Sequence, residues 1–267
     1  MHKPMLHLKS GEYLGSVNSN WHADGLLISV AAYPVPVFEG WHCHENHHIS
    51  FIIQGGNNEQ RKGREKEILP GEVVSYRSGE LHRNCNTQTH SRNINLEIKS
   101  GFFSRYGLDA DVFSTGAFQG DAKFTILKIY KECQAGDDRF SSAVHSLLLS
   151  LLRPGDPAPA CIPRWVTMLR EVLNDRWDDN IPLQELARLV QVHPVTISKY
   201  FPRYFHCTLG EYIRKLRIEK ALSLMRTAKL PLTAIAHQCG FFDQSHFIRT
   251  FKDMTGFLPG GYKKIGG

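Results

Sequence analysis

The spacing of apolar and polar residues changes character about halfway along the chain. From residue 26 to residue 98 the apolar runs are short and separated by turn chemistry. Residues 26–33, 49–53, 67–69 and 73–76 read as strands, closed by Pro34 and Pro36, Gly55-Gly56-Asn57-Asn58, Pro70-Gly71 and Ser78-Gly79. In residues 92–98, Ile94, Leu96 and Ile98 alternate with Asn93, Asn95 and Glu97, a period of two. Short strands with Gly and Pro turns predict an antiparallel sandwich or small barrel. Two helical periods follow, one with Phe124 and Leu127, the other with Val144, Leu147, Leu148 and Leu151. They predict a helical pair over 106–153, packed on the sheets or paired with a second chain. Residues 154–162 are rich in Pro and predict a semi-rigid linker.

The rest of the chain has the helical period, and it has it twice. Leu183, Leu186, Ala187 and Val190 form one apolar stripe behind Pro182. After His193-Pro194, a second helix turns Ile197 and Phe201 inward and Val195, Thr196, Ser198 and Lys199 outward. The pattern returns about fifty residues later. Leu232, Ile235 and Ala236 follow Pro231, and Gly240 stands where a left-handed residue would end the helix. Asp243 can cap the next helix, which buries Phe247, Phe251 and Met254. Its other face carries Gln244, Ser245, Ile248, Arg249 and Lys252. Between the copies, residues 209–226 form a helix with Tyr212, Ile213, Leu216, Ala221 and Leu224 inward and Arg214, Lys215, Arg217 and Lys220 along its length. Each copy is a brace helix followed by a helix presenting a polar, basic face of the kind that reads a major groove.

Charge sharpens this picture. The chain carries 32 Lys+Arg and 26 Asp+Glu, a net +6. Residues 183–267 hold 13 of the basic and 5 of the acidic residues, a local +8, whereas residues 1–159, with 16 against 17, carry −1. The positive charge therefore lies with the repeat and suggests a polyanionic partner. The six cysteines form no C-x-x-C pair and read as reduced thiols of a cytoplasmic protein. The N-terminus lacks the apolar run of a signal peptide, and no stretch approaches membrane-spanning length.

The near-neutral half holds the remaining chemistry. In Trp41-His42-Cys43-His44-Glu45-Asn46-His47-His48, a single continuous strand would place His42, His44 and His48 on one face, with Ile49, Phe51 and Ile53 on the other and His47 at the surface. Gly40, His42-x-His44 and Gly55, then Pro70-Gly71, Gly79-x-x-His82 and Asn86, resemble the two motifs of the cupin superfamily. That resemblance implies a β-barrel and four positions for a divalent metal: His42, His44, His48 and His82. His48 stands where the pattern usually has Glu; imidazole is itself a good ligand for a borderline divalent metal. The other reading is a metal-free pocket for a small organic effector, lined by the same histidines with Trp41 and Tyr76.

Leu186-Ala187, Phe201, Tyr212, Arg217, Ala221, Ile235-Ala236, Gly240-Phe241, Asp243, Ser245, Phe247, Phe251-Lys252, Gly256, Pro259 and Tyr262 resemble the DNA-binding domain of the AraC/XylS family of bacterial transcriptional regulators. The resemblance implies double-stranded DNA, RNA polymerase and a small-molecule effector as partners, often a homodimer, and activation more than repression. By position, Val195, Thr196, Ser198, Lys199, Gln244, Ser245, His246, Arg249 and Lys252 would contact DNA, and Arg217 would have a structural role. The first copy departs from the pattern. Pro202 should end or kink its second helix, His206 replaces the usual glycine, and His193 replaces a small polar cap.

The expected architecture is a two-domain α+β chain. Residues 1–105 form a cupin-like antiparallel β-barrel that senses an effector. Residues 106–153 form the helical pair and 154–162 the linker. Residues 163–267 form an all-α domain of two helix-turn-helix units joined by a linking helix. A sequence-specific, ligand-controlled DNA-binding regulator is the leading function, and not an enzyme. The alternatives are a metal-dependent cupin enzyme, a dioxygenase or isomerase with a helical appendage, and a nonspecific architectural DNA binder.

Overall fold

Among the described residues ten strands come first and ten α-helices follow them, in the order the periodicities predict. The computed structural model describes residues 5–34, 36–113, 121–136, 139–152, 162–227 and 230–265. All but the last residue of the predicted linker lie outside them. The chain divides into two units, Met1–Arg153 with Thr255–Phe257 and Lys264–Gly267, and Pro154–Met254 with Leu258–Lys263.

In the first unit the strands form two five-stranded sheets rather than one closed barrel. One has the order β1 (Leu6–Leu8), β4 (His42–His44), β9 (His82–Cys85), β6 (Asn57–Arg61), β7 (Arg64–Ile68). The other has the order β2 (Ser16–Ala23), β3 (Leu26–Tyr33), β10 (Ser91–Ile98), β5 (His47–Gln54), β8 (Val73–Tyr76). All pairings are antiparallel except β1 with β4, which is parallel. The expectation of a purely antiparallel barrel is thus corrected: residues 6–8 add a parallel edge strand, and the ladder does not close on itself. β3, β5 and β10 are buried on both faces, which is why Ile28, Ile49, Phe51, Ile53, Ile94 and Ile98 are all essentially inaccessible. Helices α1 (Ser100–Tyr106), α2 (Ala122–Ala135) and α3 (Phe140–Leu152) complete the unit. α2 and α3 pack on each other, and Trp21 of β2 meets Tyr130 of α2 edge to face.

The second unit is helical: α4 (Arg164–Asp175), α5 (Leu183–Leu189), α6 (Pro194–Phe205), α7 (Leu209–Thr227), α8 (Leu232–Gln238), α9 (Gln244–Thr255) and α10 (Pro259–Ile265). α4, α5, α6 and α7 share one core around Leu169, Leu186, Ile197 and Phe201. The second copy buries Ile235, Ala236, Phe247, Phe251 and Tyr262. α5 and α8 have seven residues each, α6 and α9 twelve, so the repeat holds in three dimensions. Pro182 and Pro231 precede α5 and α8 as matched N-caps.

The first copy departs less than its residues suggest. α6 continues through Pro202 to Phe205, so the expectation that it ends there is corrected. Pro202 lies in the last turn and, like Ser198 one turn earlier, faces solvent. The carbonyl it leaves without a helical donor can therefore bond water. His206 takes the left-handed conformation, with φ 55°, that Gly256 takes at 79° in the second copy. Its N–H closes the helix on the Pro202 carbonyl. Gln191, at φ 56°, does the same for Gly240 at 71°. His193 is an N-cap: its Nδ1 accepts from the Val195 N–H at 3.3 Å. Pro202→Ala should restore the missing donor and raise stability by about 1–3 kcal/mol. Chemical denaturation followed through the helical signal measures this; a loss of stability would mean that the ring holds the last turn.

Candidate functional site

The histidines converge, but not because they share a strand. The chain turns at Glu45 and Asn46, so His42 and His44 lie on β4 of one sheet and His48 on β5 of the other. The sheets face each other, and His48 meets His44 across the gap with ring centroids 4.4 Å apart. His82 is the direct cross-strand partner of His42, 4.2 Å away. All four are buried, none more than 8% exposed.

Three of them form a set that could hold an ion. Ligand atoms of His42, His44 and His82 lie within 4.8 Å of one another. His42 Nδ1 faces the Gly40 carbonyl at 3.2 Å, and His82 Nδ1 faces the Glu80 carbonyl at 3.0 Å. Each Nδ1 is thus the donor, which leaves Nε2 with its lone pair free for a metal, the usual outer-shell arrangement. His48 stands apart from the trio. Its Nε2 donates to Ser50 Oγ at 2.8 Å, and Ser50 donates on to Asn95 Oδ1 at 2.8 Å. Its buried Nδ1 has no partner among the described residues.

Burial keeps these rings neutral. It lowers the pKa of His42 and of His44, the latter also by repulsion from the other imidazoles. The His82 pKa falls to about 2 by burial and the nearby His42, and that of His48 to about 4 by burial. Neutral imidazole is the metal-binding form. Behind them, Tyr76 stacks on His82 at 4.1 Å and donates to the buried Glu59 carboxylate at 2.5 Å. Glu59 also holds Arg61 at 2.6 Å. Burial and Glu59 push the Tyr76 hydroxyl well above its ordinary range. The cavity between the sheets has a volume of about 40 Å³, room for an ion with water rather than for a drug-sized molecule.

Of the expected pocket residues, His42, His44, His48, Tyr76 and His82 line this cavity. Trp41 does not. It is 37% exposed, with the Arg83 guanidinium over its ring, in an open groove with Met5 and Leu81. His47 points away from the cluster as expected but is not a surface residue; it packs between Phe103 and Phe113. Sequence reasoning missed the polar end of the cavity, where Asn57, Asn84 and Asn93 stand. It also missed Glu59. Both Asn57 and Glu59 follow Gly55-Gly56: the run Gly55-Gly56-Asn57-Asn58 reads as a turn, but β6 begins at Asn57.

The helical unit presents two polar surfaces. On α9, Ser245, Arg249 and Lys252 are exposed and Gln244 is half-buried at its start. His246 is half-buried, set edge to face against Phe241, and its N–H is capped by Asp243 Oδ1 at 2.7 Å. On α6, Val195, Ser198 and Lys199 are exposed and Thr196 is half-buried. Phe242, 90% exposed, is an additional residue in the second turn, where the first copy passes directly from Val192 to His193. Arg217 is buried and accepted by carbonyls, away from either surface.

Residues 186–265 match the protein-family model described as "Helix-turn-helix domain". The HTH-type transcriptional regulator GbdR of Pseudomonas aeruginosa is 30% identical over 82 residues, 31% of this chain and 22% of that protein. The Arabinose operon regulatory protein of Escherichia coli is 23% identical over 232 residues, 80% of this chain and 79% of that protein. The solved C-terminal domain of AraT, a response regulator from Geobacillus stearothermophilus, is 24% identical with a TM-score of 0.38. That likeness covers 40% of this chain and 88% of the domain. The chain spans less than half the length of the first curated relatives it matches. No helix among the described residues is long and apolar enough to cross a membrane.

Acid should expose the histidine cluster in metal-free protein. Unfolded imidazoles titrate near 6.5, while the buried ones stay neutral to a lower pH. Stability is therefore fully present above about pH 6.5 and falls on acidification, through about pH 4 for His48 and further for His82. The slope is about 1.4 kcal/mol per pH unit for each such group. The thermal midpoint measured from pH 7.5 to 4.5 should drop, and less steeply for His82→Asn. A flat profile would contradict the buried neutral cluster.

Proposed function

We propose, from the helix-turn-helix domain matched at residues 186–265, that the chain is a transcriptional regulator that reads DNA with α6 and α9 under control of its N-terminal unit. The observation that carries this reading is the doubled helix-turn-helix with a polar, exposed face on each second helix, set in a segment of charge +8. Val195, Thr196, Ser198, Gln244, Ser245, His246 and Arg249 read base edges; Arg249 suits guanine and Gln244 adenine. Lys199, Lys252 and the basic residues of α7 hold phosphates. RNA polymerase is the partner on the promoter, and activation is the more common outcome in this family. The relatives are named as regulators, and the reading as a metal-dependent enzyme is set aside.

The N-terminal unit is the sensor, cupin-like in its motifs, and residues 106–153 supply the surface on which two chains pair. His42, His44 and His82 would hold a divalent metal, which would offer a Lewis-acidic centre to a ligand in the cavity. His48, Tyr76 and the asparagines orient that ligand by hydrogen bonds. The fit of three neutral imidazoles with fixed tautomers supports a metal here more than a metal-free organic pocket does.

Duplexes selected by the full chain should bind far better than random duplexes, and the preference should persist as salt rises. Equal affinity for both would sink the regulator reading. Arg249→Ala should cost about 1–3 kcal/mol and relax preference at a single base position; a uniform loss on every sequence would make Arg249 a phosphate contact. For the sensor, metal analysis of protein prepared without chelator should find close to one ion per chain, lost in His44→Ala and His82→Ala. Unchanged metal content in both variants overturns the site.

A further inference from the structure

Arg217 lies in the middle of α7, between the two copies, and is 8% exposed. Its Nε donates to the Trp177 carbonyl at 3.1 Å. Its Nη2 donates to the Asp179 carbonyl at 3.1 Å and to Asn180 Oδ1 at 2.9 Å. Residues 177–180 form the segment that leads from α4 through Pro182 into α5, the brace of the first copy. That segment is itself tied to α5, because Arg176 pairs with both Asp179 and Glu185. Lys220 reaches over the Trp177 ring from the next turn of α7.

The second copy meets the same point. A Cβ on Gly240 would stand 2.5 Å from the Asp178 carbonyl oxygen and 2.9 Å from Arg217 Cζ and Nε. The backbone at the turn between α8 and α9 is therefore in direct contact with both. One guanidinium thus touches the linking helix, the entry to the first reader and the turn of the second. Its planar fork holds three acceptors at fixed directions, which a flexible ammonium cannot do.

We propose that Arg217 is a positioning residue that sets the separation and rotation between α6 and α9, and through them the spacing of DNA segments that the protein accepts. This rests on the DNA-reading function above. One extra base pair shifts a segment by about 3.4 Å and rotates it by about 35°. A pair of readers locked at this junction rejects that shift; a loosened pair tolerates it.

The test uses the full chain and the duplex it selects from a random-sequence pool, with one base pair inserted or deleted between the two contacted segments. Wild type should lose about tenfold or more in affinity for each change. Arg217→Lys should lose less than about threefold, and Asn180→Ala should fall between them. A flattened spacing profile in Arg217→Lys supports the inference. If Arg217→Lys binds more weakly at every spacing with the wild-type profile, Arg217 only stabilises the domain and the inference is overturned. If Arg217→Lys does not fold, Asn180→Ala, which removes one acceptor at a solvent-exposed residue, decides, and a wild-type profile there overturns it. A selected sequence with a single contacted segment also overturns it while leaving DNA reading intact. Failure to select any sequence removes the regulator reading itself.

Discussion

A guanidinium buried in a helical domain has to be met by acceptors, because an uncompensated buried charge costs several kcal/mol. Arg217 is met by two backbone carbonyls and one amide oxygen rather than by a carboxylate. That choice fixes how the domain closes. The acceptors belong to the segment before α5, and only a chain without a side chain at Gly240 can pass beside them. The two copies are therefore not beads on a helix; they meet at one polar junction inside an apolar domain. Because the acceptors are neutral, the junction also leaves the net positive charge of the domain undiminished.

Neutrality is enforced in the opposite way in the first unit. Four imidazoles share a small space between two sheets, and both burial and mutual repulsion disfavour their protonation. The carbonyls of Gly40 and Glu80, each two residues before a histidine, decide the tautomers. Of the buried carboxylates nearby, Glu59 is already given to Tyr76 and Arg61, and Glu97, beside His48 in the sheet, accepts from Tyr13 and the Gly11 N–H. The cluster is left as a set of uncommitted lone pairs, an environment that suits a cation.

The helical repeat was legible to a degree the sheets were not. A helix keeps its neighbours within four residues, so Leu183, Leu186 and Val190, or Phe247 and Phe251, announce their shared face directly. The exchanges at His193, His206 and Pro202 looked disruptive one by one. In the fold the cap is kept at the first, the left-handed geometry at the second, as also at Gln191, and the helix at the third. The backbone path is set by the packing of Ile197, Phe201 and Phe205, and the replaced residues accept its demands. Histidine and glutamine tolerate φ near +55° at modest cost. The strands gave a weaker signal where polar residues fill both faces. β6, β7 and β9 contain few apolar residues, and β6 hides behind two glycines that read as a turn.

Residue spacing and charge determined the order of the elements, the doubled helical unit and the division between a near-neutral and a basic half. Each of these depends on periodicity or on charge, which a linear chain carries with it. Only the tertiary structure decided that His42 and His48 come from facing sheets, that His48 turns to Ser50 instead of joining the trio, and that Trp41 lies outside the cavity. It alone showed that Arg217 joins the two helix-turn-helix units. These are contacts between residues far apart in the chain, and their geometry follows from strand register and close packing, which no local pattern records.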